Sequence, residues 1–212
     1  MDFDLETTDA LLSTTRSVRK RLDTERPVPR SIIEECIGLS QQAPTGTNSQ
    51  GWRWIVVEDK AKRERLAEIY RMAAGGYLAG QEEMAKDSGD QQTTRVIDSA
   101  SYLADNLQNM PVHVIPCLQG KPPEGTPIMG ITAMMASIFP AVWSFQLALR
   151  ARGLGSCITS LHLMNADLSA ELLGIPDDIM QVALLPVGFT KGTDFKTAKR
   201  PPPSSIIHYD QW

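Results

Sequence analysis

Between Gly125 and Leu149 the chain carries no charged side chain. A run this long and apolar fits either a membrane span or a helix buried in a folded core. The bulky residues favour the core. Ile131, Met135, Ile138, Phe139, Val142, Phe145 and Leu149 recur at helical spacing, with Thr132, Ser137, Ser144 and Gln146 interspersed. We therefore expect a core helix and no membrane span. So apolar a helix needs more cover than one small subunit readily supplies, so a partner subunit is expected as well.

Nothing in the 212 residues forces a division, and one domain over residues 1–212 is expected. A formal net charge of -4 gives no general attraction to polyanions, which argues against nucleic acid as a partner. Cys36, Cys117 and Cys157 are odd in number, far apart and set among apolar residues. That pattern predicts reduced, buried thiols rather than a disulfide framework. The opening MDFDLETTD lacks the basic-then-apolar order of a secretion signal. A cytoplasmic location is the resulting expectation.

Periodicity and punctuation predict a short helix over Thr8 to Thr14, then the basic cluster Arg16 to Arg21. A second helix lies within PVPRSIIEECIGLSQQAP, with Ile32, Ile33, Cys36 and Ile37 on one stripe and Pro44 as its stop. Its start is either Pro29 as the first helical residue or a capping box of Ser31 and Glu34. Trp52 to Asp59 reads as a buried strand, followed by a charged helix from about Ala61 to Met72. From Ala79 to Thr94 the sequence is polar without apolar periodicity and reads as a mobile excursion or lid. A helix from Val96 to Gln108 leads into the strand VHVIPCL. Beyond the long apolar helix we expect strands at Leu154 to Thr159 and Gln181 to Phe189, with a helix at Ala166 to Leu173 between them, stopped by Gly174. About four strands among irregularly placed helices predict an α+β fold rather than a doubly wound dinucleotide fold.

Several chemistries are excluded by spacing or context. His113, His162 and His208 are scattered, and no HExxH or CxxC occurs, so zinc has little support. His113 reads as a solvent-facing strand residue, and the other two as hydrogen-bonded loop histidines. GTNSQG misses the GxSxG spacing of a nucleophile elbow and precedes a strand instead of following one. GLGSCI follows a helix and enters a strand, the wrong order for a dinucleotide fingerprint.

Three separated segments carry positive signal. In TTRSVRKRL, Arg16 and Arg19 stand three apart with Ser17 between, so two guanidinium forks and a hydroxyl could converge on one phosphate. A plain solvated face is the alternative. In APTGTNSQGW, a helix-to-strand turn gathers Pro44, Thr45, Gly46, Thr47, Asn48 and Gln50, offering amide and hydroxyl donors to a polar heterocycle. An ordinary turn would use the same residues. The third segment is Arg200 in FKTAKRPPP, which would have to reach back to the first.

Taken in order, RSVR, VP before a helix, APTGTNSQGW, GLGSC, ELLGIPDD, LLPVGF and a C-terminal arginine before prolines resemble the nitroreductase family over nearly the whole chain. The resemblance implies a three-layer arrangement of helices around a small mixed, mainly antiparallel sheet, in an intertwined homodimer with two FMN sites at the interface. It implies that Arg16, Ser17 and Arg19 hold the phosphate and ribityl chain, with Arg200 closing on the phosphate. Lys199 is a further candidate, because the family's usual basic position is Ala198 here. Pro44, Thr45, Gly46, Asn48 and Gln50 would come from the other subunit to the flavin ring, with backbone amides near Ser160 and Leu161 beside its reactive nitrogen. The implied activity is ping-pong transfer of electrons from NADH or NADPH to nitroaromatic, quinone or similar acceptors. The flavin would carry the chemistry, so no catalytic side chain is expected. Dehalogenation or flavin cleavage on the same scaffold, a non-enzymatic FMN-binding protein, and a structural dimer without ligand are the alternatives.

Overall fold

In the computed structural model, which describes residues 2–212 (Ser88 in its backbone only), a five-stranded antiparallel sheet lies between two layers of helices. Helices α1 (Leu5–Thr14), α2 (Arg30–Ser40), α3 (Lys60–Ser88), α4 (Gln91–Asn106), α5 (Ile128–Ala151) and α6 (Ala166–Leu173) alternate irregularly with strands β1 (Trp52–Val57), β2 (Val112–Gln119), β3 (Leu154–Ser156), β4 (Ile179–Gln181) and β5 (Leu185–Phe189). The order is β1-β2-β5-β3, with β4 paired to β2 beyond the end of β5. The expected α+β class holds, and every pairing is antiparallel.

Strand β2 is buried on both faces, and its side chains divide the core. Val112, Val114 and Leu118 pack toward α2 and α5, while Ile115 and Cys117 pack toward α3 and α4. Such alternation follows from the two-residue period of a strand. The strand expected over Gln181 to Phe189 is broken in two, and Pro116 supplies a reason. Its carbonyl accepts from the Val182 amide at 3.0 Å, but with no N–H it cannot return a bond on that flank. The ladder therefore stops between β4 and β5.

The apolar run forms α5. Ile138, Ala141, Val142, Phe145 and Leu149 are fully buried along one stripe. By length and composition α5 is apolar enough to cross a membrane, but this stripe makes its C-terminal half a core helix. The N-terminal half differs, with Ile128 and Met129 80% and 77% exposed. Helix α2 begins after Pro29, which occupies the cap position with extended backbone and offers no side-chain cap. Neither expected start is correct, because Pro29 stops one residue short of the helical region.

The excursion expected over Ala79 to Thr94 is instead helical. Helix α3 runs through to Ser88, Gly89 ends it at φ 65°, and the Asp90 carboxylate caps α4 by accepting from the amides of Gln92 and Thr93. Apolar periodicity misjudges this segment because its helix rests on propensity. Ala79, Gln81, Glu82, Glu83, Met84, Ala85 and Lys86 are strong helix formers whatever face they present.

Glycine is required at Gly155, where β3 passes under the segment leaving α1. A Cβ there would lie 2.8 Å from Thr190 Cγ2 and 3.0 Å from both Val18 Cβ and Cγ2. Gly155→Ala is expected to destabilise the fold by about 1–3 kcal/mol through overpacking, read as a lower urea midpoint at unchanged m-value.

Candidate functional site

The segment after α1 crosses the end of the sheet and is fixed there by its backbone. The Val18 amide donates to Ser156 O at 2.9 Å, and the Asp23 amide to Phe189 O at 2.8 Å. Val18 is buried between exposed Ser17 and half-buried Arg19. Ser17 is left exposed, while the half-buried Arg19 lies close enough to the buried Cys157 to oppose the rise of its thiol pKa by charge and a side-chain hydrogen bond. Arg16 then reaches the C-terminal tail, donating through Nη1 to Lys196 O at 2.5 Å. Arg21 binds the same tail through Lys191 O and the Asp194 carboxylate. Phe195 lies under both Arg21 and Arg150, whose guanidinium carbons are 4.2 Å and 4.6 Å from its ring centre.

These contacts bring the first and third segments into one open cleft of about 520 Å³. Arg16, Ser17 and Arg19 line it with Thr197, Ala198, Lys199 and Arg200, and Gln92, Arg95, Val96 and Ser99 of α4 complete it. A second cleft of about 390 Å³ shares Arg19 and Val96 with the first. Its walls are Tyr70, Tyr77, Leu78 and Gln81 of α3, Ile97 and Ala100 of α4, and Ile158 to Leu161. Ser160 and Leu161 stand at the cap and first position of a 3₁₀ turn (Leu161–Asn165). Amides at such positions have no partner inside the turn and are free to face a ligand.

Residues 44–50 do not join either cleft in the single chain. Their loop lies against α5, where the Gly46 amide donates to Ser137 Oγ at 3.1 Å. Gly46 lines a separate hollow with Thr47, Ser49, Ala133, Met134 and Ser137. Thr47, Asn48 and Gln50 all have left-handed backbone, at φ 52°, 55° and 48°, a conformation costing roughly 1–2 kcal/mol for a residue with a Cβ. Hydrogen bonds hold them there. The Gln50 amide donates to Thr45 Oγ1 at 3.1 Å and the Gln50 side chain to Asn48 Oδ1 at 3.0 Å.

Sequence reasoning missed the helix-borne walls: Tyr70, Tyr77, Gln81, Gln92, Arg95 and Ser99. No local motif marks them, since a helical residue becomes part of a site only through packing. Tyr70 is buried, and its hydroxyl is 2.9 Å from Thr159 Oγ1. Burial pushes its pKa upward, against the opposing effect of the hydrogen bond, so the phenol stays protonated.

All three cysteines are free and buried, as expected. Burial raises the thiols of Cys36 and Cys157 to about 11 and that of Cys117 to about 12, with Arg19 opposing the shift at Cys157. They are therefore poor nucleophiles. Two histidine expectations fail. His113 is fully buried rather than solvent-facing, because β2 is covered on both faces, and His162 is fully buried without a hydrogen-bond partner among the described residues. No group of three or more potential metal ligands occurs among the described residues.

Comparison with known proteins shows the same fold elsewhere. The structure of oxidised iodotyrosine deiodinase bound to FMN and 3-iodo-L-tyrosine aligns with a TM-score of 0.71 at 21% identity, covering 96% of this chain and 99% of that one. The FMN- and NADPH-dependent nitroreductase NfnB of Sphigopyxis sp. strain HMH aligns at 0.68 and 19%, again over 96% and 99%. A protein of Archaeoglobus fulgidus, provisionally named an NADH dehydrogenase/NAD(P)H nitroreductase, is 23% identical over 205 residues, which are 95% of this chain and 97% of the relative. The sequence profile of the Nitroreductase family matches residues 12–189, and the chain belongs to that family.

Proposed function

We propose that this chain is an FMN-dependent oxidoreductase that takes electrons from NADH or NADPH and delivers them to a nitroaromatic, quinone or similar flat acceptor. The observation that carries this reading is the two-part cleft. One end gathers Arg16, Arg19, Lys199 and Arg200, and the other has tyrosine and aliphatic walls with Ser160 and Leu161 at its edge. This donor set fits FMN, with cations for a phosphate and an apolar slot with edge amides for a ring.

Bound FMN would supply the hydride and electron transfer. The chain's own residues bind and orient. Arg16, Ser17, Arg19 and Arg200 hold the phosphate end, with Lys199 beside them. Backbone donors at Ser160 and Leu161 stabilise negative charge at the ring edge. Helices α3 and α4 wall the slot and would shield a bound ring from water.

We infer a homodimer from what the single chain leaves uncovered: Ile128, Met129 and Trp143 on α5, and Ile206, Tyr209 and Trp212 on the tail. In that assembly the strained loop, through Pro44, Thr45, Gly46, Asn48 and Gln50, would serve the site of the other copy. Three unpaired thiols fit the reducing cytoplasm. A second reading, reductive removal of halogen from an aromatic ring, is favoured by the likeness to iodotyrosine deiodinase.

The deciding measurement is anaerobic mixing of the purified, yellow holoprotein with NADH and NADPH. Bleaching of the flavin absorbance is expected, and reoxidation by nitrobenzene against 3-iodotyrosine separates the two readings. A protein that stays colourless when given FMN sinks both.

A further inference from the structure

We infer that Arg95, with Gln92 and Ser99, forms a second oxyanion subsite that reads a phosphate or carboxylate on the co-substrate. The inference rests on the reading above, but the nucleotide-binding arm of its test does not depend on it. Residues 92, 95 and 99 are spaced three and four apart, and all three line the cationic cleft. Such spacing places them on one face of α4. A guanidinium, an amide and a hydroxyl can all donate hydrogen bonds to an oxyanion.

Charge count is the second support. The cleft holds five cations and no carboxylate among its lining residues, in a chain of net charge -4. One phosphate dianion is matched by the guanidinium groups of Arg16, Arg19 and Arg200. Arg95 is surplus to that need. It comes from a different element, the α3–α4 hairpin, whose partner helix lines the adjoining slot. Asp90, just before α4, has its pKa lowered mainly by hydrogen bonds from Thr93 and Gln92, with Arg95 the smallest cause. Asp90 caps α4, and Arg95, one turn further along the helix, lines the cleft.

One chemistry has two possible sources, the 2′-phosphate of NADPH or a carboxylate on an aromatic acceptor. Binding of 2′,5′-ADP and 5′-AMP to wild type, Arg95→Ala and Arg95→Lys, followed calorimetrically, tests the first without needing the flavin. The kcat/KM ratio for 4-nitrobenzoate over nitrobenzene tests the second. Losing one charge-assisted fork is expected to cut discrimination in one arm by about tenfold or more, with partial recovery in Arg95→Lys. The Kd for FMN should move less than threefold. Discrimination unchanged in both arms overturns the inference. So does a tenfold weakening of FMN in Arg95→Ala, which would assign Arg95 to the cofactor phosphate. If wild type binds no FMN yet Arg95→Ala loses preference for 2′,5′-ADP, the flavin reading falls and the subsite stands.

Discussion

Replacing Arg16 and Arg19 together with alanine is expected to weaken FMN binding by about a thousandfold and to yield folded, colourless protein. Each guanidinium contact to a phosphate contributes roughly 1.5–3 kcal/mol, and every 1.4 kcal/mol is a factor of ten. Two forks removed thus span about two to four orders of magnitude. The fold should survive, because this segment is fixed by backbone bonds at Val18 and Asp23 and by the buried Val18 and Leu22 side chains. Arg16 also donates to Lys196 O, so part of the loss will reflect a looser tail. Arg200→Ala alone, which leaves that contact in place, gives the phosphate share separately. Far-UV circular dichroism and flavin titration are the measurements. A double variant that retains stoichiometric FMN would refute the assignment of this cleft end to phosphate. Wild-type affinity should fall as salt is raised, since these cations are partly exposed and screened.

What the sequence made legible follows from how local each signal is. Strands β1 and β2 and helix α6 were readable because Trp52 to Val57, Val112 to Leu118 and the Gly174 stop are written in neighbouring residues. The length of α3 was hidden by the absence of an apolar stripe, although its residues favour helix. The division of β4 from β5 was hidden because its cause, Pro116, sits in another strand. The site divides in the same way. Arg16, Arg19, Lys199 and Arg200 stand in recognisable segments, and the fold places them in one cleft. Tyr70 and Arg95 had no segment to announce them. Residues 44–50 were recognisable by composition, yet their strain, and their seat on Ser137 of α5, appear only in three dimensions.

Acid is expected to unfold this protein earlier than its carboxylates alone require, and His113 and His162 are the reason. His113 has one ring nitrogen against Leu107 O at 2.8 Å, while its Nδ1 and both nitrogens of His162 are buried without partners among the described residues. Burial lowers both to about 4, opposed at His113 by the Leu107 bond, with Arg63 adding to the depression there. In the unfolded chain each histidine takes up a proton near pH 6.5. Between about 6.5 and 4 the unfolded state therefore holds more protons than the native state, and stability falls as pH falls through that window. Above it the two histidines contribute no slope. A shift of this size corresponds to roughly 3 kcal/mol for each histidine at the acid end, a large part of the 5–15 kcal/mol typical of a domain. The carboxyls of Asp4, Glu35 and Asp194 are also held below their usual values, by hydrogen bonds from Thr7, Arg152 and Arg21 respectively. Their stabilising effect is lost only as pH falls further, through the carboxylate range. Urea titrations from pH 7 to 4.5 should show a steep loss, and His162→Leu should remove about one proton from the slope. At pH 7 that variant should be at least as stable as wild type, because it deletes two unpaired buried nitrogens and keeps an apolar side chain in their place. An unchanged slope in His162→Leu would mean that the buried ring is already protonated or hydrogen-bonded in the native state, and the acid sensitivity would then have to lie elsewhere.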